Sequence, residues 1–202
     1  MRYSRRDFLT GFTKRLAARL TEAAHESAKA INAAAKIGKP ERSERPIAKL
    51  AFLRPPGALD ELQFLNTCDR ECIECINACP YDAIKRLGSE FAAAAEGTPA
   101  IIPDETPCYL CADLPCIETC PTGALQPTDR QAVKMGLARI DYSQCYVSQG
   151  QTCDYCVVRC PLESDAIDWD ANRLPCVSDT GCSGCGVCSY LCPADAIRII
   201  PA

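Results

Sequence analysis

The sequence predicts an α+β fold, in which small units with short β-hairpins follow one another and a long amphipathic α-helix precedes them. Three observations predict it. Sixteen of the 17 cysteines fall into four runs that share the ending Cys-x3-Cys-Pro. A short apolar step follows each run, which is typical of a strand that enters a hairpin. The first 39 residues carry apolar side chains at helical spacing.

Each run supplies four thiols from a short stretch of chain, at residues 68–79, 108–120, 145–160 and 182–192. This is the bacterial ferredoxin spacing, in which three thiolates on a tight loop hold one iron-sulfur cluster. The fourth thiolate, about one helical turn further on, binds the other cluster of a pair. Four runs therefore predict four [4Fe-4S] clusters. The expected ligands are Cys68, Cys72, Cys75, Cys79, Cys108, Cys111, Cys116, Cys120, Cys145, Cys153, Cys156, Cys160, Cys182, Cys185, Cys188 and Cys192.

Other uses of cysteine fit this pattern less well. Zinc also takes four cysteines, but its sites usually assemble from two separated pairs, whereas each run here supplies four ligands and a proline. A disulfide framework is typical of small secreted chains, and the spacing here is that of local ligand loops. No Cys-x-x-Cys is followed by His, which excludes c-type haem attachment.

Composition bounds the remaining functions. At 202 residues the chain allows one domain with an appendage, and an aromatic content of 6% predicts a thin core that depends on metal ligation for stability. A net charge of −4 gives no indication of nucleic-acid binding. We find no Ser/His/Asp set, P-loop or dinucleotide-binding glycine motif, so we expect no enzymatic substrate site.

The chain divides into a helix (residues 1–39), a proline-rich linker (40–58) that we expect to be an extended tether, and a cluster domain (59–202). The helix would extend roughly 50 Å and overhang the domain. Its narrow stripe needs a partner, so we expect it to dock onto a catalytic subunit or a second copy of this chain. The stripe consists of Phe8, Phe12, Leu16, Leu20, Ala24, Ala28, Ile31 and Ala35.

Export is the main ambiguity at the N-terminus. Residues 4–9, Ser-Arg-Arg-Asp-Phe-Leu, match a twin-arginine signal. Such a signal needs an apolar segment after its basic part, and here Lys14 and Arg15 follow almost at once. We therefore expect a cytoplasmic protein, with periplasmic export as the alternative. No segment approaches the length of a transmembrane helix.

Within the cluster domain, residues 58–66 are expected to form a short helix that leads into Cys68. Residues 100–103 and 136–140 should be strands, and residues 169–177 a turn and a strand before the last run. Every gap between runs can thus form a hairpin. Cys176 lies outside the runs, and a buried, inert thiol is expected there.

Residues 54–202 resemble the four-cluster polyferredoxin subunits of respiratory and molybdenum or tungsten enzymes, especially proteins of the NapF/NapG type. The resemblance is carried by Arg-Pro-Pro-Gly-Ala (54–58), Pro-Cys-Tyr-Leu-Cys (107–111), Cys-Pro-Thr-Gly-Ala-Leu (120–125) and Met-Gly-Leu-Ala (135–138). It implies that runs one and four pair, so that Cys192 completes the first cluster and Cys79 its mate. Runs two and three would then exchange Cys160 and Cys120. Consecutive pairing of the runs is the alternative.

The resemblance also implies a function. It indicates an electron-transfer subunit rather than an enzyme, which relays single electrons between a catalytic tungsten or molybdenum subunit, aldehyde-oxidising being one candidate, and an acceptor. The alternatives are a NapG-like donor on the quinol side of nitrate reductase and a NapF-like maturation factor of a molybdoenzyme.

Overall fold

The computed structural model describes residues 52–91 and 93–202. These residues lie in one compact unit, Ile47–Ala202. The predicted N-terminal helix, the twin-arginine-like segment and most of the predicted linker lie outside the described residues.

The described chain consists of short helices and strands that alternate with the cysteine runs. The helices are α1 (Glu61–Thr67), α2 (Glu74–Asn77), α3 (Pro115–Glu118), α4 (Tyr155–Val158), α5 (Glu163–Ala166) and α6 (Val187–Leu191). The strands are β1 (Ile84–Arg86), β2 (Pro99–Ile101), β3 (Gly136–Ile140), β4 (Ile167–Trp169), β5 (Pro175–Val177) and β6 (Ile197–Pro201). Single 3-10 turns lie at Ala93–Ala95 and Arg130–Ala132. The prediction of a small fold with helices and short antiparallel strands is confirmed.

Three antiparallel strand pairs organise the chain. β1 pairs with β2 so that Ile84 lies opposite Ile101, and β4 pairs with β5. β3 pairs with β6, and Ala138 lies opposite Ile199 in that register. Two isolated bridges join Leu53 to Ile101 and Ala58 to Leu125.

These pairs divide the described chain into a first half (residues 52–127) and a second half (128–202) with similar connectivity. In each half a hairpin separates two cysteine runs. The segment before the earlier run also contacts the segment after the later run, through the Ala58–Leu125 bridge in one half and β3–β6 in the other. The expectation of a hairpin in every gap is wrong for the gap between runs two and three. There, β3 pairs instead with β6, the strand that follows run four. This pairing closes the second half.

Helix α1 leads into the first run as predicted, although it begins three residues later than expected. Asp60 provides the reason, because its carboxylate accepts a hydrogen bond from Gln63 N at 3.1 Å and caps the helix. The helix buries Phe64 and ends immediately before Cys68.

The core is small and is centred on the cysteine runs. Its largest fully buried apolar side chains include Phe64, Leu53, Ile101, Leu110 and Ile197. The described end of the predicted linker belongs to this core, since Leu53 is 1% exposed and Pro55 and Pro56 are buried. The expectation of an extended tether over the surface is therefore wrong for these residues, because Leu53 bonds to Ile101 in both directions at 2.8 Å.

Arg54 fixes this segment to α1. Its guanidinium contacts both carboxylate oxygens of Glu61, at 2.6 and 2.7 Å, and donates to Thr98 Oγ1 and to the Pro99 carbonyl. It also lies 4.5 Å from the ring centroid of Phe64.

Among the helices of the described residues, none is both long enough and apolar enough to cross a membrane.

Candidate iron-sulfur centres

The first two runs contribute their cysteines to two small cavities. Set A consists of Cys68, Cys72 and Cys75 from run one together with Cys120, the last cysteine of run two. Set B consists of Cys108, Cys111 and Cys116 from run two together with Cys79, the last cysteine of run one. Each run therefore gives three thiols to one cavity and its fourth to the other.

The last two runs repeat this exchange. Set C lines a third cavity and consists of Cys182, Cys185 and Cys188 with Cys160, the last cysteine of run three. Set D is formed by Cys145, Cys153 and Cys156 with Cys192. The electrostatic influence of the other three thiols contributes, after burial, to raising the pKa of Cys156, which places all four close together.

The nested pairing that the resemblance implied is wrong in this structure, because the runs exchange cysteines with their immediate neighbours in sequence. The physical reason is that the connection between the two runs of each half is a β-hairpin. Hairpins β1–β2 and β4–β5 turn the chain back on itself between the runs of each half, so those two runs meet. Helix α2 accordingly packs against α3, and α4 against α6. The sixteen residues proposed as ligands are the same under either pairing.

A backbone N–H points at the sulfur of the last cysteine in three of the runs. Ala83 N lies 3.3 Å from Cys79 Sγ, and the corresponding distances are 3.4 Å for Leu125 N to Cys120 Sγ and 3.3 Å for Ala196 N to Cys192 Sγ. Such N–H groups stabilise negative charge on sulfur and are a means of setting cluster potential.

Left-handed backbone makes these contacts available. The third residue after the last cysteine has positive φ in all four runs: Asp82 (51°), Gly123 (73°), Glu163 (51°) and Asp195 (54°). Asp and Gly are among the residues that tolerate this conformation, which explains the Pro-x-(Asp/Gly)-Ala that follows the cysteine in runs one, two and four. The chain then turns back over the sulfur.

The same device recurs between the first two cysteines of runs two and four. Leu110 (φ 49°) and Gly184 (φ 71°) occupy equivalent positions, and each N–H donates to the sulfur two residues earlier, Cys108 or Cys182, at 3.4 Å. Leu110 is a left-handed residue other than Asp or Gly. Its side chain is 1% exposed, so its burial offsets the backbone cost.

Burial perturbs the thiols strongly. It raises the pKa of Cys75, Cys108 and Cys156 to about 12, and that of Cys116 and Cys185 to about 11. These thiols are therefore protonated at neutral pH in the metal-free chain, and metal binding has to release their protons.

Cys120 differs from the other perturbed thiols. Burial acts to raise its pKa, but hydrogen bonds outweigh that effect and lower the pKa below its ordinary value. They come from the backbone N–H of Leu125 and from Thr122.

The four sets fit iron-sulfur clusters in donor chemistry. Thiolate is the ligand that these clusters take. The four sulfurs of sets A, B and C each line one small cavity, and the four sulfurs of set D lie close to one another. Each thiolate of a cubane binds a different iron, so the sulfurs need not converge on one point. Within residues 52–91 and 93–202, no group of three or more His, Cys, Asp or Glu side chains is arranged as a site for a metal ion.

Cys176 is exposed, which contradicts the expectation of a buried thiol. The cause is its place on β5, a strand of a two-stranded hairpin with one open face. Pro175 on the other face is buried.

Two features near the cysteines were not predicted. Tyr81 and Tyr109, whose ring centroids lie 4.5 Å apart, both line the cavity of set B. Tyr109 lies between two of the proposed ligand cysteines, a position that could have drawn attention to it. Arg130 reaches both halves from the gap between runs two and three, and no pattern in the sequence marks it.

Comparison with known proteins finds relatives of this chain among ferredoxin-type proteins. The chain is 39% identical to the methylamine utilization ferredoxin-type protein MauM of Methylobacillus flagellatus over 169 residues, which cover 78% of this chain and 71% of the relative. It is 38% identical to the ferredoxin-type protein NapG of Escherichia coli over 167 residues, which cover 74% and 70%. The chain belongs to the MauM/NapG family of ferredoxin-type proteins.

Ferredoxin-type proteins are iron-sulfur electron carriers, so the family assigns this MauM/NapG-type chain to electron transfer. A weaker likeness links it to a putative iron-sulfur subunit of dimethyl sulfoxide reductase from Halobacterium salinarum, at 27% identity over 121 residues, 50% of this chain and 42% of the relative. No family model matches the chain.

Proposed function

We propose that this protein is a non-catalytic subunit that relays single electrons through four [4Fe-4S] clusters, between a catalytic oxidoreductase subunit and an acceptor. The clusters would occupy sets A to D in two ferredoxin-like halves. Each bound cluster supplies a one-electron redox centre. The observation that carries the proposal is that contacts link the four cysteine sets in one linear order, A–B–C–D.

Each step of that order has support. Sets A and B share runs one and two, and the Cys116 thiol contributes to the raised pKa of Cys75, after burial and Cys68. Sets C and D share runs three and four, and Cys156 is among the thiols that raise the pKa of Cys188 after burial. Sets B and C meet across the two halves, where Cys108 N donates to Cys185 O at 3.0 Å.

Burial distinguishes the ends of this chain from its middle. Sets B and C each contain two buried cysteines, whereas sets A and D each contain one. Electron exchange with another protein is faster from a less enclosed centre, so sets A and D are the proposed points of entry and exit. Apolar side chains are exposed beside both, namely Ile73 next to Cys72, and Tyr155 and Val158 on α4.

The partner is the least determined part of the proposal. A tungsten- or molybdenum-containing catalytic subunit, aldehyde-oxidising for example, is the first candidate, because the resemblance in sequence extends to subunits of such enzymes. The likeness to NapG supports donation to nitrate reductase as the second candidate. A maturation role for a molybdoenzyme is the third, and it requires binding to an apo-enzyme without steady-state electron transfer.

The N-terminal segment adds two further proposals from sequence alone. Its apolar stripe would dock onto the catalytic subunit or a second copy of this chain, and deletion of residues 1–37 should then reduce assembly size in light scattering. The charges at Lys14 and Arg15 favour cytoplasmic residence over twin-arginine export. Fractionation of cells that carry the full chain and a variant with both Arg5 and Arg6 changed to Lys tests that choice.

Paired ligand substitutions test the clusters and their pairing together. Cys75 and Cys120 belong to the same set here, so C75S/C120S should lose one cluster's worth of iron and sulfide, no more than C75S alone. Under nested pairing the double variant would lose two. C75S/C192S is the matched control and should lose two here but one under nested pairing. Zinc in place of iron in the anaerobically purified chain would overturn the proposal.

A further inference from the structure

Two tyrosine rings lie against each other beside set B. Tyr81 is the second residue after Cys79, and Tyr109 directly follows Cys108, so each lies within two residues of a proposed ligand of that set. The ring centroids are 4.5 Å apart at an interplanar angle of 36°, and both residues line the cavity of set B. Runs one and two therefore each contribute one ring to the same cluster site.

The rings form part of the solvent side of this cavity. Apart from its cysteines and the two tyrosines, the cavity is lined by apolar residues, and most of these are buried, including Ile84, Ile101 and Leu114. The lining residues that water reaches are two prolines, two cysteines, Tyr81, which is 50% exposed, and the half-buried Tyr109. The rings are the largest side chains among them, so loss of either ring would open this side to water.

Set A has polar side chains at the equivalent positions. Asp69 directly follows the first cysteine of run one, as Tyr109 does in run two, and Thr122 is the second residue after the last cysteine of run two. Both are exposed, and both line the cavity of set A. The Thr122 hydroxyl lies 3.8 Å from Cys120 Sγ. The first half therefore surrounds its two cluster sites differently, with polar groups at one and aromatic rings at the other.

The second half does not repeat the tyrosine pair. The equivalent positions are Ser183 and Leu162 in set C, and Tyr146 and Ala194 in set D. Set B is thus the one set of the four with an aromatic residue at both positions. The pair is a property of these two side chains and not of the cysteine loops, which all four runs share.

Solvent access is one of the properties that set the potential of an iron-sulfur cluster. One-electron reduction adds a negative charge to the cluster, and water stabilises that charge. A pair of stacked rings offers a large apolar surface and keeps water away from one side of the site. Rings at this place therefore disfavour the reduced state and lower the reduction potential.

We propose that Tyr81 and Tyr109 form a water-excluding cover on set B, which lowers the reduction potential of the cluster there. The proposal rests on the function proposed above, since it requires a cluster at set B. It adds a specific device to the relay. The electron's step between sets A and B is governed by a pair of side chains, and not by the cysteine ligands alone.

Redox titration of the anaerobically purified holoprotein, followed by electron paramagnetic resonance, measures the effect. C111S changes one ligand of set B, so the titration wave that it alters most belongs to that cluster. In Y81A and in Y109A the same wave should shift to higher potential, and the other three should stay in place. Y81F and Y109F keep the rings and should keep the wild-type potentials.

Phe91→Ala is the matched control, because it breaks a different aromatic pair. Phe91 packs edge to face with Phe52 at a centroid distance of 5.7 Å, in a small apolar cluster with Leu87 and Ala100. Neither ring lines the cavity of set A, B or C. F91A should leave all four waves in place.

Iron content and circular dichroism establish that each variant is loaded and folded. If Y109A loses its cluster, Y81A still decides, because Tyr81 is half exposed and its truncation leaves no cavity in the core.

Four results would overturn the proposal: an unchanged or lowered potential for set B in the alanine variants, an equal shift of all four waves, the same shift in F91A, or phenylalanine variants that match the alanine variants. The last would assign the effect to the hydroxyl groups and not to the rings. Each is distinguishable from failure of the proposed function, which would show as missing clusters in the unmodified chain.

Discussion

Replacement of Gly184 by alanine should damage the contact between run four and β3. Gly184 has φ +71°, and a Cβ built on it would lie 2.3 to 2.5 Å from the backbone N, Cα and carbonyl C of Gly136. Gly136 begins β3, and the neighbouring Ser183 carbonyl accepts a hydrogen bond from Met135 N at 2.9 Å. The obstruction is backbone on both sides, so no side-chain rotation relieves it.

The expected cost has two parts. Holding alanine in left-handed conformation costs about 1–2 kcal/mol. Forcing a methyl group into filled space costs about 1–3 kcal/mol more, because β3 and its pairing with β6 must shift. The total is about 2–5 kcal/mol, a large fraction of the stability of a small domain.

Gly150→Ala separates these two parts. Gly150 has φ +79°, but nothing lies within 4 Å of its Cβ position. This control should therefore show the conformational cost alone, about 1–2 kcal/mol. Anaerobic guanidinium unfolding of the two holoproteins, followed by circular dichroism and by the visible absorbance of the clusters, measures the difference. Equal unfolding midpoints for the two variants would refute the argument from steric overlap.

Three further predictions address stability and metal binding. Arg54→Gln should lower the free energy of unfolding by about 1.5–3 kcal/mol because it removes charged hydrogen bonds to Glu61, whereas Lys85→Gln at an exposed ion pair should change it by less than about 1 kcal/mol. Similar losses in the two variants would contradict this distinction. Ser189→Ala should cost about 1–3 kcal/mol in the same assay, because Ser189 Oγ donates to Ile197 O at 2.8 Å and the buried carbonyl would lose its partner. Iron loss to a chelator should be faster at pH 6 than at pH 8, since the raised pKa of thiols such as Cys75 lets protons compete with iron for the sulfur as pH falls. A rate of iron loss that is independent of pH would argue against thiolate ligation.

The cysteine runs were predictable because ligand spacing is local. Three thiols and a proline within about a dozen residues specify a loop whatever the rest of the chain does. Strand β3 was predicted with the bounds Gly136–Ile140 that the structure gives. Helix α1 was predicted to within three residues, since its cap and its apolar contact also lie close in sequence.

The pairing of the runs was not predictable from such local patterns. It depends on which strands meet, and the partner of β3 is β6 at the far end of the chain. The prediction that Cys176 is buried failed for a related reason. Alternation along β5 does not specify which face of a two-stranded hairpin is open to solvent. Arg130 acquires its surroundings only when Cys111 and Cys160 are brought near it, from opposite directions along the chain.

Exchange of cysteines between neighbouring runs bears on how the protein is made. Every thiol of sets A and B has been synthesised once Cys120 emerges from the ribosome, and Leu125 completes the bridge that closes this half. The later half cannot close until its final strand arrives, because β6 is the partner of β3. The first half of a nascent chain can therefore receive iron while the remaining codons are still being translated, and the second half receives it after translation.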